Sequence, residues 1–457
     1  MSPAPAPRFS PRAIEVFERD VRLRMPFRFG VVTLTAAPQA FVRARIRIED
    51  GPAAGRECEG AAAELMAPKW FDKNPALTNE DNFEQLRRSL AAAREAYLAG
   101  GADTAWGHFL AHRRDGLVAG FGPSLIERAA LDALCRALGI SFYAAVRSNA
   151  IGAGSFEGMD LPAFFARLAP AGTIAARHTV GLVDPITAAD LNGRVGDGLP
   201  ETLEEVVARY GNRYFKLKVA GDPKADVERL ARIAAVLDRI AGKYYATLDG
   251  NEQYEDMAGV AELWGRMKAE RRLSRLVGSI LFIEQPIARA RALDEPVAGI
   301  ERPVIIDESD DSLNAFVEAR ALGYRGVSSK TCKGIYKSLV NAARCAAWNA
   351  EAAEARYFMS AEDLTIQPGL ALQQDLALVS LLGISHVERN GHHYVNGMAG
   401  LPESEQQAFL AAHPDLYERS AGAVRVRIED GMLAIGSLDC PGYASRAMPE
   451  WNSMRRT

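Results

Sequence analysis

Two lysines one residue apart, Lys216 and Lys218, lie in the short apolar stretch 213–221. In a strand, both ammonium groups turn to one face and Leu217 to the other. Like charges on one buried face are unfavourable unless something uses them, the other explanation being a solvated edge strand. Further along, apolar stretches end in Asp249-Gly250-Asn251, Glu284-Gln285-Pro286, Asp307-Glu308-Ser309 and Lys330. One acidic strand end is explained equally well as a helix cap. Three in succession are not. Neighbouring strands lie about 4.8 Å apart, so Asp249, Glu284 and Asp307 can converge on one point. Carboxylates so placed repel one another unless a cation neutralises them, and an all-oxygen set selects a hard ion, here one Mg²⁺. Glu308 competes with Asp307 as third ligand, although alternation turns the two to opposite faces.

The chemistry that fits is removal of a proton α to a carboxylate through an enediolate. Lysine has a pKa of about 10.4, and lowering it by about 3 units needs roughly 4 kcal/mol. Lys216 and the cation both push the Lys218 pKa down, while the cation stabilises the charge that develops on the substrate.

These residues need parallel strands opening onto one face. Eight candidate strands, over 178–182, 215–219, 245–249, 280–284, 304–307, 326–330, 356–360 and 386–389, alternate with helical stretches. The clearest helix spans 224–241, with Val227, Leu230, Ala234, Leu237 and Ile240 on one face. Eight βα units predict a closed barrel with its chemistry at the C-terminal strand ends. Strands two and six then lie opposite each other, so Lys218 and Lys330 face across the pore.

Before the barrel, residues 40–50 alternate apolar and charged, and Asp50-Gly51 predicts a hairpin turn. Residues 79–138 read as helices broken at Gly100-Gly101 and between Gly120 and Pro123. After Gly400, residues 422–431 repeat the ending Arg-Ile-Glu-Asp-Gly of 47–51, which predicts a strand and turn, the C-terminus packing back onto the N-terminal sheet. The expected architecture is α/β: an α+β capping domain over 13–159, a modified TIM (βα) barrel over 160–400, and a segment 401–457 returning to the cap.

Composition narrows the class. The chain has 457 residues, 48% hydrophobic and 25% charged, with a net charge of −4, which disfavours a nucleic-acid partner. Five cysteines without CxxC spacing argue for free thiols, a reducing cytoplasmic setting and no structural zinc. The opening MSPAPAPRFSPRA reads as a short disordered tail rather than a signal peptide, and no apolar run predicts a membrane span.

Taken together, Lys-x-Lys, Asp-x-Asn, Glu-Gln-Pro, Asp-Glu-Ser and the later lysine resemble the enolase superfamily, specifically its muconate lactonizing enzyme subgroup. The likeness covers nearly the whole chain and includes the ending Glu429-Asp-Gly-Met-Leu with Pro441-Gly442. It implies that Asp249, Glu284 and Asp307 hold Mg²⁺ and that Lys218 and Lys330 are the acid/base pair. It also implies that Lys216 assists, that Asn251 supports the metal end, and that the enzyme is a homo-oligomer. A lysine base beside Mg²⁺ is already familiar in that superfamily. Three departures stand out. Thr331-Cys332-Lys333 precedes a single Gly334 where the family has a glycine pair. The interval from Asp249 to Glu284 is stretched, which predicts a longer peripheral helix or loop. No histidine ends strand seven, Ser360-Ala361-Glu362-Asp363, which disfavours the mandelate racemase and sugar-acid dehydratase patterns.

Substrate choice falls to loops over the mouth. Residues 25–35, carrying Phe27, Phe29 and Val31 around Gly30, read as a lid or as plain packing. Glu64, Lys69 and Trp70 read as a second loop or as domain-interface contacts. Glu362 and Asp363 are placed to meet a substrate ammonium or to cap a helix. Arg389, His392 and His393 are placed to bind a second anion or to sit in a surface loop. The expectation is a Mg²⁺-dependent racemase, epimerase or cycloisomerase acting on a small carboxylate. The alternatives are a β-eliminating lyase (dehydratase or o-succinylbenzoate-synthase-like) and, further off, a metal-free Schiff-base aldolase at Lys330. A binding module that has lost its chemistry is the non-enzyme alternative.

Overall fold

The computed structural model describes residues 5–352 and 354–457. A long antiparallel hairpin, Phe9–Phe29 and Val32–Ile48, is extended by Glu57–Leu65 on one edge and by Arg455–Arg456 on the other. Strand structure therefore starts at Phe9, inside the stretch expected to be a tail; residues 1–4 of that stretch lie outside the described residues. The turn after Ile48 is longer than a two-residue Asp50-Gly51 turn. Ile48 N–H donates to Arg56 O and Gly55 N–H donates to Ile48 O, closing a loop over 49–56.

Helices Asn79–Ala99, Ala105–His112 and Leu117–Leu138 cover this sheet. The expected break between Gly120 and Pro123 does not occur, and the third helix runs through it. Pro123 leaves the Ala119 carbonyl without its usual intrahelical donor, but Ser89 Oγ donates to that carbonyl at 3.0 Å. Gly122 is needed there because a Cβ would run into the Ser89 backbone.

The second body is a curled parallel sheet of eight strands alternating with helices. In chain order they are Thr173–Val180, Tyr214–Lys218, Tyr245–Asp249, Ile280–Glu284, Val304–Ile306, Gly326–Ser329, Phe358–Ala361 and His386–Arg389. Each pairs with the next up to the seventh, and the eighth pairs with the first. Between the seventh and eighth no ladder forms among the described residues. There Arg177 of the first strand donates to Ala361 O of the seventh at 2.8 Å. Leu217 belongs to the same buried apolar cluster as Val227, Leu230, Ala234 and Leu237 of helix Pro223–Leu237, which leaves the inner face of its strand to the two lysines. The stretched interval before Glu284 is filled by helix Met257–Ala269, a 3-10 turn Arg271–Leu273 and a short helix Ser274–Ser279.

The C-terminal segment divides its contacts. Tyr417–Ser420 and Ala423–Val426 form a hairpin, Met432–Ala434 pairs antiparallel with the first barrel strand, and Arg455–Arg456 pairs with Phe17 and Glu18. Residues 422–431 thus serve their own hairpin and lead to the barrel, and only the last residues join the capping sheet. No helix among the described residues is long and apolar enough to cross a membrane.

Candidate active site

Register explains the convergence. Lys218 is paired with Asp249 and Asp249 with Glu284 across neighbouring parallel strands. Ile305 is the partner of Glu284, and Asp307 stands two residues beyond it, on the same face. Ile306 pairs with Val327, so Lys330 rises from the next strand in the same way. Gln285 braces this end: its side-chain oxygen accepts from Asp307 N–H at 2.8 Å and Ser309 N–H at 3.0 Å. Its amide donates to Ser309 Oγ and Ile287 O. Glu-Gln-Pro and Asp-Glu-Ser are thus two sides of one bracket. Asn251 (φ 41°) and Gln285 (φ 31°) hold left-handed backbone, a conformation non-glycine residues adopt where the surroundings enforce it.

All of these side chains are buried. Lys216 Nζ sits among four carboxylates, 2.9 Å from Asp249, 2.8 Å from Glu284, 2.7 Å from Glu362 and 2.9 Å from Glu388. Burial opposes its charge, but those four anions raise its pKa well above the ordinary value. Lys218 Nζ donates to Asp249 Oδ2 at 2.5 Å and Asn251 Oδ1 at 2.7 Å. Lys330 Nζ donates to Asp307 Oδ2 and lies 4.8 Å from the Trp70 ring centroid. Burial works against the Lys330 ammonium too, yet Asp307 and Glu284 raise its pKa. That is opposite to the lowering a base requires, because here the carboxylates face the lysines. Lys218 and Lys330 border one narrow pocket with Lys216, Asp249, Asn251 and Asp307.

The three carboxylates do not close into a ready cation cage among the described residues, since Asp249 and Asp307 are each turned onto a lysine. The donor set nevertheless fits a hard cation. Glu284 Oε1 and Glu308 Oε2 are buried without a hydrogen-bond partner, and Glu284 Oε2, close to Lys216, is not aligned for one. Burial and then Asp249 raise the Glu284 pKa, which marks an anionic site short of positive charge.

The remaining candidates separate. Phe27 and Phe29, at the tip of the long hairpin, line the cavity together with Leu34, Ala67 and Trp70. Val31 is exposed. Glu64 pairs with Arg128 at 2.9 Å, and the Lys69 ammonium donates to Asn74 O; neither lines the cavity. Glu362 faces inward, held by Arg177 and Lys216. Its burial is outweighed by those two cations, which take its pKa down to about 2. Asp363 lines the cavity and accepts from Ile366 N–H and Asn390 N–H, and burial raises its pKa to about 6 against the pull of Arg389. Both carboxylates are already partnered within the protein. Arg389 is not at the cavity, because its guanidinium pairs with Asp375 and lies 3.7 Å from Asp363. His392 and His393 cluster with His178 at ring separations of 5.4 and 5.0 Å.

Sequence reasoning missed several charged residues around the site. Glu388 was legible from alternation along His386–Arg389, which puts it on the face opposite Arg389. Arg177 comes from the first strand by the same logic. Lys333 lies 3.2 Å from Asp307 and 3.1 Å from Asp310. Lys73, from the capping loop, lies 2.5 Å from Glu252 and 3.4 Å from Glu308; nothing local marks it.

Residues 198–443 match the family described as enolase C-terminal domain-like. No curated protein matches the chain in sequence. Among solved structures, muconate lactonizing enzyme from Pseudomonas fluorescens, complexed with muconolactone, is 17% identical. The match covers 96% of this chain and 97% of that one, with a TM-score of 0.62. A dipeptide epimerase from Enterococcus faecalis, complexed with Mg and L-Leu-L-Tyr, is 12% identical over 95% and 99% of the two chains, TM-score 0.62. A Bradyrhizobium enolase complexed with magnesium and mandelic acid is 15% identical over 98% and 97%, TM-score 0.60. At such identities these structures speak for the fold: a TIM-barrel-like α/β body with a capping domain. The chain belongs to the enolase C-terminal domain-like family, and so to a superfamily of Mg-dependent isomerases and lyases.

Proposed function

We propose that this enzyme removes and returns a proton at the carbon next to a carboxylate, with Lys218 and Lys330 as the acid/base groups, as a racemase, epimerase or cycloisomerase. The observation that carries this reading is that the two lysines border one cavity at opposite ends of the carboxylate row, one against Asp249 and the other against Asp307. In this reading Asp249, Glu284 and Asp307 would hold one Mg²⁺, which when bound supplies Lewis acidity toward the substrate carboxylate. Lys216, ringed by four anions, stays protonated and limits the repulsion among them. Asn251 offers Lys218 an uncharged acceptor, and Phe27, Phe29, Leu34 and Trp70 shield the reacting carbon from water. A metal-free Schiff base at Lys330 is disfavoured, because with no cation to take Asp307 the Lys330 ammonium stays paired with it and is a poor nucleophile.

The same reading divides the chain near residues 160 and 400 and makes it a cytoplasmic homo-oligomer acting on a small molecule; five free cysteines support the reducing compartment. The test is solvent exchange. In D₂O with Mg²⁺, an active substrate gains deuterium at its α-carbon, and EDTA stops the gain. Product formation without α-exchange would sink the reading. A β-eliminated product would assign the alternative lyase chemistry.

A further inference from the structure

Lys73 has no place in the mechanism above, yet it crosses from the capping loop to the edge of the carboxylate row. Its ammonium donates to Asn251 O at 2.6 Å, pairs with Glu252 at 2.5 Å and lies 3.4 Å from Glu308 Oε1. Arg289 fastens the same loop by donating to Trp70 O at 2.9 Å and Phe71 O at 3.1 Å, while pairing with Glu252. Glu308 follows Asp307 directly, is fully buried, accepts from Asn251 Nδ2 at 3.2 Å, and leaves Oε2 without a partner. It is therefore a fourth carboxylate within reach of the row, spare in charge and in lone pairs, with a lysine from another domain held against it.

From this we infer that Lys73 is a cation-selectivity residue: it occupies Glu308 and so limits the row to three carboxylates. The inference rests on the metal reading of Asp249, Glu284 and Asp307. Its physical basis is ligand number. Calcium takes six to eight oxygen ligands in flexible geometry, whereas magnesium is satisfied with one or two carboxylates and several waters. A freed Glu308 adds up to two oxygens and one charge to the row, which favours calcium disproportionately. A lysine can hold that carboxylate without competing for the central position, because its stem is anchored in the capping loop and its head is shared with Asn251 O and Glu252.

The test is calorimetric titration of the full-length protein with MgCl₂ and CaCl₂, with no substrate needed. Lys73→Met should raise calcium affinity about tenfold while changing magnesium affinity much less. Lys73→Arg should keep the wild-type ratio of the two affinities. Glu308→Gln alone should also keep it, and the double variant Lys73→Met/Glu308→Gln should restore it. An unchanged ratio in Lys73→Met, an equal loss for both ions, or a shift that persists in the double variant would overturn the inference and leave Lys73 as a loop anchor. If Lys73→Met does not fold, Glu308→Gln still decides: a lowered calcium-to-magnesium ratio there means that Glu308 is already a ligand, and the inference fails. Wild-type protein that binds neither ion would overturn the metal reading beneath it, a result distinct from all of these.

Discussion

The two ends of the carboxylate row hold their lysines by different means. At one end Lys218 is shared between one charge, Asp249, and one neutral amide, Asn251. At the other, Asp307 accepts from Ser328 Oγ, Lys330 and Lys333 together, so Lys330 stands in a denser set of charges. The roofs differ as well. The Phe27 ring, from the hairpin tip, lies 5.9 Å from Lys218 Nζ and stacks on Tyr394 at 4.3 Å. Trp70, over Lys330, belongs to a loop tied down by Arg289 and Lys73. The two lysines are therefore held asymmetrically: Lys218 by one carboxylate and one amide under a hairpin tip, Lys330 among several charges under a latched loop.

The sharpest way to break this comparison is to remove each lysine. Lys218→Ala and Lys330→Ala should each suppress α-deuterium exchange from one face of a chiral substrate by about 10²- to 10⁴-fold and leave the other face exchanging. Exchange with each enantiomer in D₂O, followed by NMR, separates the faces. Loss of both faces in Lys218→Ala, with neither lost in Lys330→Ala, would reduce the pair to a single base and favour elimination.

Next in size is the bracket under the Lys330 end. Gln285→Leu leaves the N–H groups of Asp307 and Ser309 buried without their acceptor, and each orphaned group costs about 1–3 kcal/mol. Urea unfolding should show a loss of about 2–6 kcal/mol. Asn251→Leu, at the Lys218 end, should cost less, because the side-chain partners it gives up, Lys218 and Glu308, keep Asp249 and Lys73 respectively. Equal losses would mean that the two ends are braced alike.

These predictions also show what could be read in advance. Lys218, Asp249, Glu284, Asp307 and Lys330 were legible because strand alternation and the C-terminal strand ends of a βα barrel leave little freedom to side chains at those positions. The Gln285 bracket was visible only as a motif, since its partners are backbone groups 22 and 24 residues away. Arg389, expected at a second-anion site or in a surface loop, is turned by its register to Asp375 on helix Leu370–Leu381, and Glu388 beside it faces Lys216. The break expected at Gly120–Pro123 failed because a side chain 30 residues away supplied the missing donor. Residues such as Lys73 act from another domain, and local periodicity carries no record of them.

The roofs allow a finer comparison. Trp70→Ala removes a ring 4.8 Å from Lys330 Nζ, Phe27→Ala one 5.9 Å from Lys218 Nζ. A buried cation–π contact contributes up to about 2 kcal/mol and weakens with distance. Trp70→Ala should slow exchange on the Lys330 face about tenfold, and Phe27→Ala should slow the opposite face about threefold or less. The reverse order would show that the hairpin tip, not the latched loop, is the more important cover.

The smallest effect concerns what supports the Lys330 end from behind. Glu127, buried in helix Leu117–Leu138, accepts from Ile335 N–H at 2.7 Å, where the helix following the sixth barrel strand begins. Burial raises its pKa from 4.5 to about 8, and the Ile335 hydrogen bond only partly opposes this. Between those values the folded protein holds a proton that the unfolded chain has released, so stability is fully present below about pH 4.5 and is lost as pH rises through about 8. The slope from one such proton is at most about 1.4 kcal/mol per pH unit. Glu127→Gln keeps an oxygen for Ile335 N–H but cannot ionise, so unfolding free energies measured from pH 5 to 8 should fall less steeply in the variant, by about 1 kcal/mol per unit. Parallel profiles would mean that Glu127 does not take up this proton on folding. The Lys330 end would then owe nothing of its stability to a protonated carboxyl, and the contrast with the Lys218 end would rest on Asp307, Lys333 and Trp70 alone.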